Sequence, residues 1–325
     1  MSAKPARSRR TVTVDSPDRL RDLCGPAHSH LQIIEQALQS FDVRAESQGG
    51  AIYLEGVSPG PAIAERALTA FGDRIDAGAD ATTFELEGVL RLVQDDGPAP
   101  VKGDGVSGLK KPVDAQTPGQ RDYLKTLQND DAGLVFGVGP AGTGKTFLAV
   151  AVGAAELKSG RRERLIVARP AVEAGERLGF LPGDLEDKVD PYMLPIWDAL
   201  NELLGAQDVE KRKAKKEIEV APLAFMRGRT LKNAFVIIDE AQNATIPQMK
   251  MVLTRLGRNS RMVVTGDPSQ TDLPDRSPSG LSHAMSILSG VKGVDFAPLT
   301  AKDVVRHELV GRIVDAYAQD EASRD

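Results

Sequence analysis

The sequence predicts an α/β protein: a parallel sheet with helices on both faces, preceded by a small α+β layer. Three observations predict it. From about residue 116 short apolar runs alternate with helical patterns. One run, Leu134 to Val138, leads straight into Gly139-Pro140-Ala141-Gly142-Thr143-Gly144-Lys145-Thr146, and another, Phe235 to Ile238, ends in Asp239 and Glu240. Alternation of this kind implies parallel strands joined through covering helices, with ligands gathered at the carboxyl ends of the strands.

The chain has 325 residues, 41% hydrophobic and 27% charged, which is room for one or two domains. No apolar stretch approaches membrane-spanning length. Residues 1–12 carry Lys4, Arg7, Arg9 and Arg10 with no apolar core behind them, so the expectation is a disordered basic tail rather than a secretory signal. Residues 13–93 form the small α+β layer. Leu31, Ile34, Leu38 and Phe41 keep helical spacing, Asp42 to Glu46 and Ala51 to Glu55 read as a strand pair around Gly49-Gly50, and Ile63, Ala67, Leu68 and Phe71 line a second helix. In residues 94–115, Gly97, Pro98, Pro100, Gly103, Gly105, Gly108 and Pro112 interrupt any period and predict a linker or an irregular hairpin. Residues 116–325 hold the remaining strands, expected at Leu134 to Val138, Leu165 to Arg169, Phe235 to Asp239, Met262 to Thr265 and Val294 to Phe296.

The octet at 139–146 has the form G-x-x-x-x-G-K-[ST] in a strand-loop-helix setting, which predicts a phosphate-binding loop. Gly139, Gly142 and Gly144 let the backbone turn its N–H groups onto phosphate oxygens, with Pro140, Ala141 and Thr143 completing the loop. Lys145 is expected to reach the β- and γ-phosphates, and Thr146 to supply a hydroxyl to Mg²⁺. The helix that follows, Phe147 to Lys158, reads as amphipathic, with Leu148, Val152 and Ala155 on one face and Gly153 its weak point. Two carboxylates at the end of a buried strand need a cation or donors to compensate their desolvation. Asp239 is therefore the expected metal-side acid, and Glu240 the group that orients and deprotonates a water. Acids at a helix start would serve there too.

Gln270, in Thr265-Gly266-Asp267-Pro268-Ser269-Gln270, is the expected amide sensing the γ-phosphate or holding the water, although Gly-Asp-Pro is also a good turn. Two readings stand for Gln120. With Thr117 and Pro118 it makes a capping box, and in helicase-like ATPases a glutamine ahead of the loop strand reads the adenine edge. Arg227-Gly228-Arg229 offers two guanidinium groups for a phosphate backbone, so Arg227 and Arg229 are the RNA-binding candidates. The basic run Lys211 to Lys216 reads as a solvated helix face. Cys24 stands alone, with no partner for a disulfide or a metal site, which fits a reducing cytoplasm. A net charge of −5 argues against whole-surface nucleic-acid binding and leaves a local basic patch open.

The chain resembles the PhoH-like ATPase family, in the form with an N-terminal RNA-binding-type domain, from about residue 20 to 318. The resemblance rests on the octet, on Arg169 to Glu176, Leu178 to Gly183, Asp190 to Tyr192, Ala221 to Thr230 and Asp239 to Asn243, and on Thr265 to Gln270 and Asp303 to His307. It implies a RecA-like P-loop domain related to superfamily 1 helicases, ATP hydrolysis with Mg²⁺, ring-shaped oligomers with a hexamer favoured, and a connection to RNA. It also implies a YbeY-type endoribonuclease as partner. The N-terminal layer resembles a KH-like domain, although Gly25-Pro26-Ala27-His28 lacks the second glycine and the basic residue of an RNA-clamping G-x-x-G loop. With a single RecA-like domain, a neighbouring subunit would have to complete the site, and Arg306 is the expected finger ahead of Arg229. The resulting expectation is a cytoplasmic Mg²⁺-dependent ATPase remodelling RNA or RNA–protein complexes. The alternatives are an ATP-gated adaptor without motor activity and, more weakly, a kinase.

Overall fold

In a computed structural model, residues 6–95, 105–170, 185–273 and 278–305 are described, with Val310 and Ile313 beyond them. Two sheets organise the chain. The first is antiparallel and three-stranded, built from β1 (Arg7–Thr13), β2 (Arg44–Gln48) and β3 (Ala51–Val57) in the order β1-β3-β2. Helices α1 (Pro17–Cys24) and α2 (Ser29–Ala37) lie between β1 and β2, and α3 (Gly60–Asp76) and α4 (Thr83–Gln94) follow β3. Their apolar faces close a separate core around Ile34, Ile52, Leu54, Leu68 and Phe71.

The expected disordered tail is corrected here, because Arg7 to Thr13 pair with Val57 to Ala51 as an edge strand. Its side chains face mainly water, so no apolar alternation marks it. The arginines read as a loose basic tail instead pair with acids: Arg7 with Asp42, Arg9 with Glu55 and Arg10 with Glu65. Charged residues on an edge strand also discourage pairing with a second chain.

The second sheet is parallel and six-stranded, in the order β6-β5-β7-β8-β4-β9. Its strands are β4 (Leu134–Val138), β5 (Arg164–Arg169), β6 (Ile218–Pro222), β7 (Ala234–Ile238), β8 (Arg261–Gly266) and β9 (Val294–Pro298). Strand period two sends alternate side chains to opposite cores. Val135, Val167, Phe235, Ile237 and Val263 pack with α5 (Pro118–Gln128), α6 (Lys145–Lys158), α7 (Leu185–Leu204) and α8 (Ala206–Ala214). Phe136, Ile166, Val236, Ile238 and Val264 pack with α9 (Ile246–Leu253) and α10 (Gly280–Leu288). The doubly covered α/β fold is therefore as expected.

Strand β6 was not among the expected strands. It is five residues long, ends in Pro222, and lies at the sheet edge after the basic run that ends α8. The helix after the loop also differs from its amphipathic reading. Residues 148–154, Glu156 and Leu157 are all buried, because α6 is enclosed by α5, α7 and the sheet. Gly153 is what allows the close approach, since a Cβ there would lie 2.7 Å from Leu165 Cδ1 and 2.8 Å from Phe235 Cδ1.

Of the two readings of residues 94–115, linker or irregular hairpin, the described part forms the hairpin. Residues 96–104 lie outside the described residues, but Val106 and Val113 form an antiparallel bridge, and Val106 and Ala115 are 4% exposed within the core of the parallel-sheet domain. A short hairpin with two apolar anchors thus belongs to that domain. Polar contacts join it to the N-terminal domain: Arg74 Nη2 donates to Ala115 O at 2.6 Å, Arg91 Nε to Gln116 O at 3.1 Å, and Gln116 Nε2 to Glu85 Oε2 at 3.1 Å.

Candidate nucleotide site

The loop at 139–146 leaves β4 between two neighbours that fix its path. Gly139 N–H donates to Gly266 O at 3.1 Å, and Leu299 N–H to Val138 O at 2.7 Å. Gly139 has φ 154, and a Cβ would meet Leu299 O at 2.4 Å, so only glycine fits. Inside the loop Thr143 Oγ1 and Lys145 Nζ both donate to Pro140 O, at 2.8 and 2.9 Å. Behind it, Gln120 Nε2 donates to Thr143 O at 3.1 Å and Tyr123 Oη to Lys145 O at 3.2 Å.

Gln120 is thus a brace. Its Oε1 accepts from Gln116 N–H at 2.8 Å, while its own N–H donates to Thr117 Oγ1 at 3.2 Å. Half of the capping box forms, and the other arm goes one residue upstream. One amide donor and one lone pair of Gln120 remain for another partner.

The carboxylates meet the loop from β7. Thr146 Oγ1 donates to Asp239 Oδ1 at 2.6 Å, and Thr265 Oγ1, from the end of β8, donates to the same oxygen at 2.8 Å. Asp239 Oδ2 faces Arg169 Nε at 3.8 Å. Asp239 is 3% exposed, and that burial raises its pKa above the ordinary carboxylate value against the pull of Thr146 and Arg169. Burial also lowers the pKa of Lys145, while Glu240, Asp267 and Asp239 oppose the shift.

Glu240 turns out of the strand with φ 51 and ψ 41, a left-handed conformation that costs a non-glycine residue about 1–3 kcal/mol and is found where a site holds it. Arg169 Nη2 contacts its Oε1 at 2.9 Å, and Gln242 Nε2 donates to its Oε2 at 2.6 Å. Gln242 Oε1 in turn accepts from Asp267 N–H at 3.1 Å. Asp267 Oδ1 takes both donors of Ser269, whereas buried Oδ2 has no hydrogen-bond partner among the described residues.

Lys145, Thr146, Asp239 and Glu240 are therefore brought together. Gln270 is exposed in the turn after β8, where its N–H donates to Asp267 O at 3.1 Å. Arg227 and Arg229 follow β6, which three strands separate from β4. Arg227 is exposed, but Arg229 Nη2 is already engaged by Glu219 Oε2 at 2.7 Å. Arg306 lies outside the described residues. Sequence reasoning missed Arg169, Thr265 and Gln242. Arg169 ends β5 and Thr265 stands one residue from the end of β8, so position at a strand's carboxyl end was the available signal.

The signature of the PhoH-like protein family matches residues 112–318. The chain belongs to the PhoH-like family. Along the sequence, a PhoH-like protein of Bacillus subtilis is 44% identical over 314 residues, covering 93% of this chain and 95% of that one. A PhoH-like protein of Synechocystis is 56% identical over 209 residues, 64% of this chain and 63% of that one. Protein PhoH of Escherichia coli is 42% identical over 236 residues, 72% and 66% of the two chains. The PhoH-like signature spans residues 139–146 and both carboxylates, at the carboxyl ends of strands in the six-stranded parallel sheet. The Bacillus alignment is long enough to take in most of the N-terminal domain as well.

Mg²⁺ fits the donor set. Thr146 and Asp239 offer hard oxygen ligands, and the buried Asp239 carboxylate gains from a cation. Among the described residues no cluster of three or more His, Cys, Asp or Glu could hold a metal, so the remaining ligands would come from a nucleotide and water.

Proposed function

We propose that the chain is a cytoplasmic Mg²⁺-dependent ATPase whose hydrolysis remodels RNA or RNA–protein complexes. The observation that carries the hydrolytic reading is the 2.6 Å contact between Thr146 and Asp239, with Glu240 next in the chain and held by Arg169 and Gln242. The loop amides and Lys145 bind the triphosphate. Mg²⁺, held by Thr146 and Asp239, would neutralise phosphate charge. Glu240 orients the water and takes its proton, and Gln270 contributes an amide beside it. RNA as the substrate, a YbeY-type endoribonuclease as the partner and a hexameric ring are proposed on the family resemblance. Arg306 is proposed to reach the nucleotide of the next subunit. Among the described residues no helix is long and apolar enough to cross a membrane.

The test is Glu240→Gln in the full chain, measured by ATP binding and by phosphate release with and without RNA. Binding should persist and turnover fall by about 10²–10⁴-fold, the usual contribution of a positioned base. Hydrolysis within about threefold of wild type would remove Glu240 from the mechanism. RNA that leaves wild-type turnover unchanged and no strand or complex remodelled would remove the remodelling reading.

A further inference from the structure

Beside the phosphate loop lies a cavity of about 450 Å³, within the size range of small-molecule sites. One wall is the loop itself, with Gly142, Gly144 and the partly buried Phe147 of the first turn of α6. The facing wall comes from the N-terminal domain, where Ala79 and Thr82 lie between α3 and α4 and Phe84 stands in the first turn of α4. We propose that this cavity receives the ribose and base of the nucleotide, so that the N-terminal domain forms part of the NTP site. The inference rests on the phosphate-loop reading above and extends it to the uncharged end of the ligand.

The chemistry of the lining supports the orientation. Asp80, Glu85, Asp114 and Glu202 line the cavity, Asp80 paired with Lys111 and Glu85 with Arg74. Carboxylates repel phosphate but accept hydrogen bonds from ribose hydroxyls and from the amino group of a base. The loop end has the opposite character, with backbone N–H groups and Lys145. A nucleotide carries the same polarity, anionic at one end and donor-rich at the other. Phe84, 50% exposed, and Phe147 supply apolar surface for a planar ring. Gln120, with its remaining donor and lone pair, lines the same space. By linkage, a partner that shifts the N-terminal domain must alter nucleotide affinity, and nucleotide must alter that partner's affinity by the same factor.

Calorimetry on the full chain with Mg·ATP and with Mg·tripolyphosphate separates the two ends of the site. Ala79→Trp, which fills the cavity from the N-terminal side, should weaken ATP by at least about tenfold and change tripolyphosphate by less than about twofold. Phe84→Ala, at a half-exposed position, should weaken ATP by about threefold in the same pattern. In the wild-type chain, ATP and not tripolyphosphate should slow amide exchange across residues 79–85, which tests the wall even if Ala79→Trp fails to fold. Unchanged ATP affinity in folded Ala79→Trp, or equal protection of 79–85 by both ligands, would overturn the inference while leaving the phosphate loop intact. If tripolyphosphate does not bind wild type at all, the phosphate-loop reading fails and takes this inference with it.

Discussion

Strand β8 carries buried polar chemistry at both ends, and the two ends are built differently. At its start Arg261, 1% exposed, has every nitrogen engaged: Nε by Ala132 O at 3.2 Å, Nη1 by Leu127 O and Glu156, and Nη2 by Asn129 O at 2.6 Å and by Asp130. At its end Thr265 and Asp267 join a group whose account does not close. Glu240 stands in a left-handed backbone, and Asp267 Oδ2 has no partner among the described residues. Burial alone does not separate structural from functional charge. Partnering adds a second sign, because an incompletely compensated group gains when a ligand arrives.

The comparison breaks most visibly at Arg261. Arg261→Ala leaves Glu156 buried without that partner and should destabilise by about 3–5 kcal/mol, read as a fall in denaturation midpoint with the urea slope unchanged. A loss below about 1 kcal/mol would mean the start of the strand is no staple. Lys145→Ala should leave the fold intact and weaken ATP by about 10–100-fold, the worth of a charge-assisted hydrogen bond, in the same calorimetric titration. Asp239→Asn sharpens the contrast in the opposite direction, because it should abolish hydrolysis yet stabilise the ligand-free protein at pH 7.

The sign follows from the raised pKa of Asp239. A carboxyl group that holds its proton more tightly folded than unfolded favours folding at low pH, and the advantage is lost as pH rises through the folded value. The gain from Asp239→Asn should therefore be largest near neutrality and shrink on acidification. In calorimetric scans it should amount to about 2–4 °C for each kcal/mol relieved. A gain independent of pH would show that the charge on Asp239 is already compensated.

The nucleotide motifs were legible because their chemistry demands fixed residues at fixed spacing, and a strand ending in Asp239 and Glu240 has few structural explanations. Arg169 was not, since a lone arginine at a strand end carries no spacing signal until the fold sets β5 beside β7. Strand β1 escaped because its partners, Asp42, Glu55 and Glu65, lie tens of residues away and no apolar period marks an exposed edge. Burial on nearly all sides of α6 was hidden by its alanines and glycine, which mark no apolar face in the sequence and serve as packing surface against the sheet. At 105–115 composition left linker and irregular hairpin open, because Gly105, Gly108 and Pro112 interrupt any period while only Val106 and Ala115 mark a core.

The strand order also bears on how the chain is made. Among the described residues strand β4 pairs with β8 and β9, so Leu134 has its partners at Met262 and Val294. A ribosome adding about 5–20 residues each second exposes that apolar strand and its loop for seconds before either partner is synthesised. The N-terminal domain, with its own core complete by α4, can fold during that interval. It is then a folded surface within reach of the unfinished nucleotide site.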